Sequence, residues 1–254
     1  MIAVAGDGRW GGRVTRRPLP DDPALDTLSP SLRDTVSRGW FERAAAELQT
    51  SAIMAVVCQD VVALRPGSEA ARLAARAVDD ERRHAEICRQ VASRYAGTDL
   101  ALPVESPVVV PRYDGASEEV ERLLRIVAQC SIGETIAAVF LEASLEAARG
   151  PLARAATREL LGDDVEHARI GWALLAGCSA TTRRGVEPWL LPMLRGYVRL
   201  WSAATPYTSM PGVREHGLPT PEDVAAAARR ATVEVIIPGF DLLGVTPRGL
   251  ERQT

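Results

Sequence analysis

The chain has 254 residues, 46% of them hydrophobic and only 5% aromatic, with a formal charge of −3. That length accommodates one large domain or two small ones, and a core of alanine and aliphatic side chains suits close-packed helices rather than a β-sandwich. The charge balance excludes an electrostatic nucleic-acid binder, and the absence of lysine excludes Schiff-base and lysine general-base chemistry.

Residues 1–28, rich in Gly, Pro, Asp and Arg, read as an irregular N-terminal arm, and residues 29–254 as a single helical domain. Helical periodicity begins near Pro30 and runs to Leu64, where Arg65-Pro66-Gly67 breaks it. Ser68 caps a second helix over about 69–95, which ends at Tyr95-Ala96-Gly97. Pro103, Pro107 and Pro111 forbid a helix over 98–115, a stretch long enough to cross a bundle from end to end. Ser117 with Glu118 and Glu119 starts a third helix that reaches Arg149. Gly150-Pro151 separates it from a fourth over about 152–178. Two further helices are expected, at about 187–204 with Pro188 and Pro192 in its early turns, and at 221–243 behind Thr220-Pro221. The loop between them carries His216, which is expected to be exposed.

Cys58, Cys88, Cys130 and Cys178 are dispersed, form no C-x-x-C pair and fall in apolar helical stretches. This pattern fits buried thiols in a reducing, cytoplasmic setting and provides no rubredoxin-type iron centre. Met1 to Trp10 lacks the basic start of a signal peptide, and no run approaches eighteen uninterrupted apolar residues, so no membrane partner is expected.

Two clusters carry the chemistry. Glu81-Arg82-Arg83-His84 and Asp164-Val165-Glu166-His167 each place a carboxylate three residues before a histidine, bringing both side chains to one helix face. The chain has three histidines, and two of them are in this arrangement. In the first helix Glu47 lies on the stripe Ala44, Ser51, Met54, Cys58, whereas Glu42 shares its side with Arg38 and Gln49. In the third, Glu134 lies among Val127, Cys130, Ser131, Ala138 and Leu141. Four helices thus carry ionisable groups on faces that should be dry.

A lone carboxylate there would cost several kcal/mol or take up a proton. Two divalent cations against four carboxylates, with neutral imidazoles completing the shell, restore balance. This is the pattern of a dinuclear site inside a four-helix bundle. Oxygen and nitrogen donors without thiolate favour iron or manganese. Asp80 and Asp163, each beside a claw, are placed to accept a hydrogen bond from a histidine on the facing helix, and Arg83 to pair with one of them. Ala137, Ala138, Gly171 and Ser51 either leave room for O2 or substrate, or serve close helix packing.

Asp80-Glu81-Arg82-Arg83-His84 resembles the D-E-x-R-H motif of the ferritin-like di-iron carboxylate superfamily, and Gly133-Glu134-Thr135 resembles its stand-alone bacterial members. The resemblance spans about residues 30–178. It implies an all-α, ferritin-like four-helix bundle with a long crossover between helices two and three and two extra C-terminal helices. It also implies that Glu47, Glu81, His84, Glu134, Asp164 and His167 ligate two iron (or manganese) ions. The chain departs from the pattern at Asp164, usually glutamate, and at Glu166, commonly arginine; a shorter carboxylate bridges two metals less easily. With no rubredoxin cysteines and two additional helices, the resemblance implies an O2-dependent oxidase or oxygenase acting on a small organic molecule. An external electron donor and a homodimer would fit that class. The alternatives are an iron-binding ferroxidase and a bundle whose metal site has degenerated.

Overall fold

The computed structural model describes residues 18–105, 107–203 and 209–245. Most of the arm expected over residues 1–28 lies outside them; its described end contains a short 3-10 turn, Pro23–Thr27. The described residues form helices, turns and loops, with no strand among them. The long helices are α1 (Pro30–Leu64), α2 (Glu69–Ala96), α3 (Glu118–Ala147), α4 (Pro151–Ala176) and α5 (Ala180–Ala203). The sixth, α6, runs as Pro221–Ala231, a π turn over Thr232–Ile236, and Ile237–Leu242.

Local chemistry sets these boundaries. Side chains of Ser29, Ser68 and Ser117 accept the backbone N–H three residues on, at the starts of α1, α2 and α3. Gly97, at φ 73°, closes α2 in the left-handed conformation that only glycine adopts cheaply. Thr220 and Asp223 form a reciprocal capping box before α6.

Four helices close a ring of contacts: α1 with α2, α2 with α4, α4 with α3, and α3 with α1. Side-chain contacts give the sense of the two pairs that α1 makes. Ser37 Oγ donates to the Ala92 carbonyl and Ser51 Oγ to the Val78 carbonyl, so α1 and α2 run antiparallel. Asp60 on α1 accepts from Arg122 at 3.0 Å and Arg125 at 2.6 Å on α3, while Arg43 stacks 5.2 Å from the Phe140 ring at the other end. Helix α5 packs on α3 and α6, and α6 on α3. Fully buried Trp40, Tyr95, Met54, Leu123 and Phe240 fill the interior between alanines, each large side chain contributing about 1.5–3 kcal/mol by burial.

Helices α1 and α3 are long and apolar enough to cross a membrane by length and composition, but 72% of the apolar window of α3 is buried within the protein, the mark of a core helix.

Two expectations need correction. Helix α5 begins at Ala180, not near residue 187, because the Ser179 side chain accepts from Thr182 N at 3.1 Å and starts it there. Pro188 and Pro192 sit inside this helix on its exposed side, where carbonyls left without an N–H partner meet water. His216 is buried rather than exposed: its Nδ1 lies 2.8 Å from the Tyr95 hydroxyl, and its carbonyl accepts from Trp40 Nε1 at 2.9 Å. The loop composition suggested solvent, but this segment is a plug tied to α1 and α2.

Candidate metal centre

Each claw sits mid-helix, so its two side chains project one turn apart into the ring's interior. There they meet one acid from α1 and one from α3. Ligand atoms of Glu81, Glu134, Asp164 and His167 all lie within 4.8 Å of one another, and so do those of Glu47, Glu81 and His84. All six residues picked from the sequence fall in these two groups. Glu81 belongs to both: Oε2 lies 3.3 Å from His84 Nδ1, and Oε1 lies 2.8 Å from His167 Nδ1. One carboxylate with an oxygen toward each group is the geometry of a bridge. Asp164 Oδ1 stands 3.7 Å from His84 Nδ1 and 3.9 Å from His167 Nδ1, so the shorter side chain still reaches the centre. Glu42 is exposed and takes no part.

The histidines are backed by a crossed pair of aspartates, one hydrogen-bonded and one in ion-pair range. His84 Nε2 lies 3.1 Å from Asp163 Oδ2 on the facing helix, and His167 Nε2 lies 3.6 Å from Asp80 Oδ2. Arg83 joins the two acids, donating to Asp80 at 3.2 Å and also to Asp163. Both outer nitrogens are thereby directed at carboxylates and both Nδ1 atoms at the centre.

Four central atoms, Glu81 Oε1, His84 Nδ1, Asp164 Oδ1 and His167 Nδ1, are buried and converge without any well-aligned hydrogen bond, although Glu81 Oε1 and His167 Nδ1 approach to 2.8 Å. Buried polar atoms are rarely left this way, because each costs about 1–3 kcal/mol. Lone pairs converging from oxygen and nitrogen, with no sulfur among them, fit hard or borderline divalent cations. Electrostatics give the same picture. Burial, reinforced by the negative charge of Glu81, pushes the Glu47 carboxyl up to about 8. The same two causes take Glu134 up to about 7. Asp164 is raised well above the usual carboxylate range by burial and by Glu134 and Glu81. Burial opposes a charge on His167, but contacts with Asp80 and Glu81 prevail and lift it to about 11. Burial likewise opposes the Glu81 charge, which His167 and His84 nonetheless stabilise, holding that carboxyl far below its ordinary value. The bare cluster therefore stores protons that cations would replace.

Three contributors lay beyond the sequence reading. The backbone of α3 is π-helical over Val127–Glu134, with Glu134 its last residue. Gln129, one π turn earlier, donates from Nε2 to Glu134 Oε1 at 2.7 Å. Such bulges cluster at functional sites because they re-aim a side chain without ending the helix. Beside the cluster lies a cavity of about 420 Å³ whose wall includes Glu47, Glu81, Glu134 and Asp164 together with Ala137, Phe140, Leu141, Tyr197 and Trp201. Tyr197 and Trp201 come from α5, and nothing local marks them as neighbours of the claws. Of the small residues flagged earlier, Ala137 lines this space, whereas Gly171 and Ser51 serve packing. A Cβ on Gly171 would sit 2.4 Å from Ser131 Oγ.

No protein-family model matches the chain, and no curated protein or solved structure matches it.

Proposed function

We propose that the protein is a ferritin-like dinuclear carboxylate oxidase or oxygenase that uses O2 on a small organic substrate. The observation that carries this reading is the conjunction of four buried, converging donor atoms without well-aligned hydrogen bonds and an adjoining cavity of about 420 Å³. The ring of α1 to α4 and the non-helical stretch between α2 and α3 support the ferritin-like arrangement, with that stretch as the crossover. Glu81, Asp164 and His167 with Glu134 would hold one ion, and Glu47, Glu81 and His84 the other. Two bound iron ions would supply the electrons and Lewis acidity for O2 activation, which no side chain here provides alone.

The protein's own part is positional. Glu81 links the two groups, Asp163 would fix the His84 tautomer, and Asp80 stands close behind His167. The four carboxylates balance the charge of two divalent ions. Phe140, Leu141 and Trp201 supply an apolar part of the cavity wall that would match an apolar substrate body. The size of the cavity and the apolar part of its wall, set beside the four acids, favour an organic substrate at the centre over a pure iron-storage role.

Anaerobic loading with ferrous iron followed by elemental analysis should give close to two equivalents per chain, and the loaded protein should then consume O2. Near-zero uptake would defeat the reading. Two tightly held equivalents with no O2 consumption would point to a bundle that binds metal without redox chemistry.

A further inference from the structure

Helix α1 turns an uncharged face to solvent. Between residues 44 and 64 its charged side chains are Glu47 and Asp60, and both point inward, one to the central cluster and the other to Arg122 and Arg125. The residues that face out are Ala45, Gln49, Ala52, Val56, Gln59 and Ala63, with Ala52 and Val56 half-buried and the others exposed. Only 33% of the apolar window of α1 is buried, against 72% of that of α3. A helix face that meets only water is ordinarily charged, yet here about six turns carry no charge on that side.

These positions have the spacing of an interface. They follow one another in steps of four, three, four, three and four, the period at which two helices keep a single seam in contact. They also suit a second copy of themselves. A twofold axis between antiparallel helices sets residue i against residue j and j against i, with the sum of the two numbers constant. With that axis level with Met54, Ala45 meets Ala63 of the second copy, Gln49 meets Gln59, and Ala52 meets Val56. Small thus faces small, amide faces amide, and apolar faces apolar. The same register brings Glu42 level with Pro66, beside Arg65, at both ends of the seam. Both charged residues are exposed. Arg65 donates to the Leu64 and Gly177 carbonyls rather than to an acid, and Arg38, one turn before Glu42, pairs with Asp34.

We infer that α1 is the twofold interface of a homodimer, packed antiparallel on α1 of a second copy across Ala52 and Val56. The seam from Ala45 to Ala63 is about 27 Å long, and its alanines let the helix axes approach to about 8 Å. The end pairs between Glu42 and Arg65 select this register over a parallel one, which would set Glu42 against Glu42. Gln49 also borders the cavity, so the second copy stands beside it. The inference rests on α1 alone and holds whether or not the centre takes up metal.

Sedimentation velocity of the full-length protein at micromolar concentrations should show a species of twice the 27.3 kDa chain mass. Val56→Arg places a cation in the central apolar layer and should weaken dimerisation at least about 100-fold. Val104→Arg, at a position 90% exposed in the stretch between α2 and α3, should leave the mass unchanged. Gln49→Cys together with Gln59→Cys should give a covalent dimer on oxidation, whereas Gln49→Cys alone should stay at the wild-type background. A monomeric wild-type protein would overturn the inference, whether its α1 face then binds phospholipid vesicles in flotation or stays bare. A dimer that persists in folded Val56→Arg, or one that Gln49→Cys alone cross-links, would overturn it as well. The wild-type mass and the cysteine pair need no charge in the seam, so misfolding of Val56→Arg cannot mask the answer.

Discussion

Glu47 and Glu42 lie on the same helix and meet opposite surroundings. Glu47 has a ligand atom within 4.8 Å of those of Glu81 and His84, whereas Glu42 is exposed. Replacing Glu47 by alanine should remove one of three donors from its group and leave His84 Nδ1 facing an incomplete shell. We expect loss of about one metal equivalent per chain, with the other group weakened through the shared Glu81. Glu42→Ala should leave metal content unchanged; the opposite ranking by elemental analysis would mean that α1 had been read on the wrong face. Asp163→Asn should be milder, weakening metal binding about 10–100-fold, because it disturbs the orientation of His84 rather than deleting a donor. The claws were legible because a carboxylate three positions before a histidine is a local pattern, Asp163 because it adjoins one of them, and Glu47 because it lies on an apolar helical stripe. Gln129 and Tyr197 were not, because their places beside the cluster arise from which helices become neighbours.

Helix α4 contains a controlled comparison of two glycines. Gly171 faces α3, where an added Cβ would lie 2.4 Å from Ser131 Oγ and 2.8 Å from Ser131 N, a backbone atom that cannot step aside. Gly162 is exposed, and an added Cβ there would meet nothing within 4 Å. Gly171→Ala should therefore push α3 and α4 apart beside the π-helical stretch. It should cost about 1–3 kcal/mol and reduce metal occupancy by displacing Glu134. Gly162→Ala should stabilise by up to about 1 kcal/mol, since alanine is the better helix former, and leave the metal content alone. Urea melts of the two variants check both signs. The π segment that makes Gly171 critical was invisible beforehand, because the 127–134 sequence has ordinary helical periodicity and only close packing against α4 reveals the wider turn. Helix α5 erred the other way. Its prolines looked like a late start, yet both lie on the solvent side of a helix already begun at Ala180.

For the molecule as a whole, the acids and imidazoles at the centre oppose folding unless something neutralises them, so pH and metal should act through one equilibrium. In the bare protein Glu47 is raised to about 8, Glu134 to about 7 and His167 to about 11. A group whose folded pKa exceeds its unfolded value stabilises fully below the unfolded value and loses that contribution as pH climbs through the folded one. For the two glutamates the loss runs from the ordinary carboxylate range up to about 7 or 8, and for His167 it runs from about 6.5 upward. From pH 6 to 8.5 all three contributions therefore decline in the bare protein. In the same window metal affinity rises, by about 1.4 kcal/mol per pH unit for each proton displaced. His216, lowered by burial, works in the opposite direction near the acid end, but it lies at the Tyr95 plug and contributes equally with and without metal. The difference in melting temperature between manganese-loaded and chelator-treated protein thus isolates the centre. It should widen steadily from pH 6 to pH 8.5; a gap that stayed constant or narrowed would mean the protons on Glu47, Glu134 and His167 are not the ones that metal displaces.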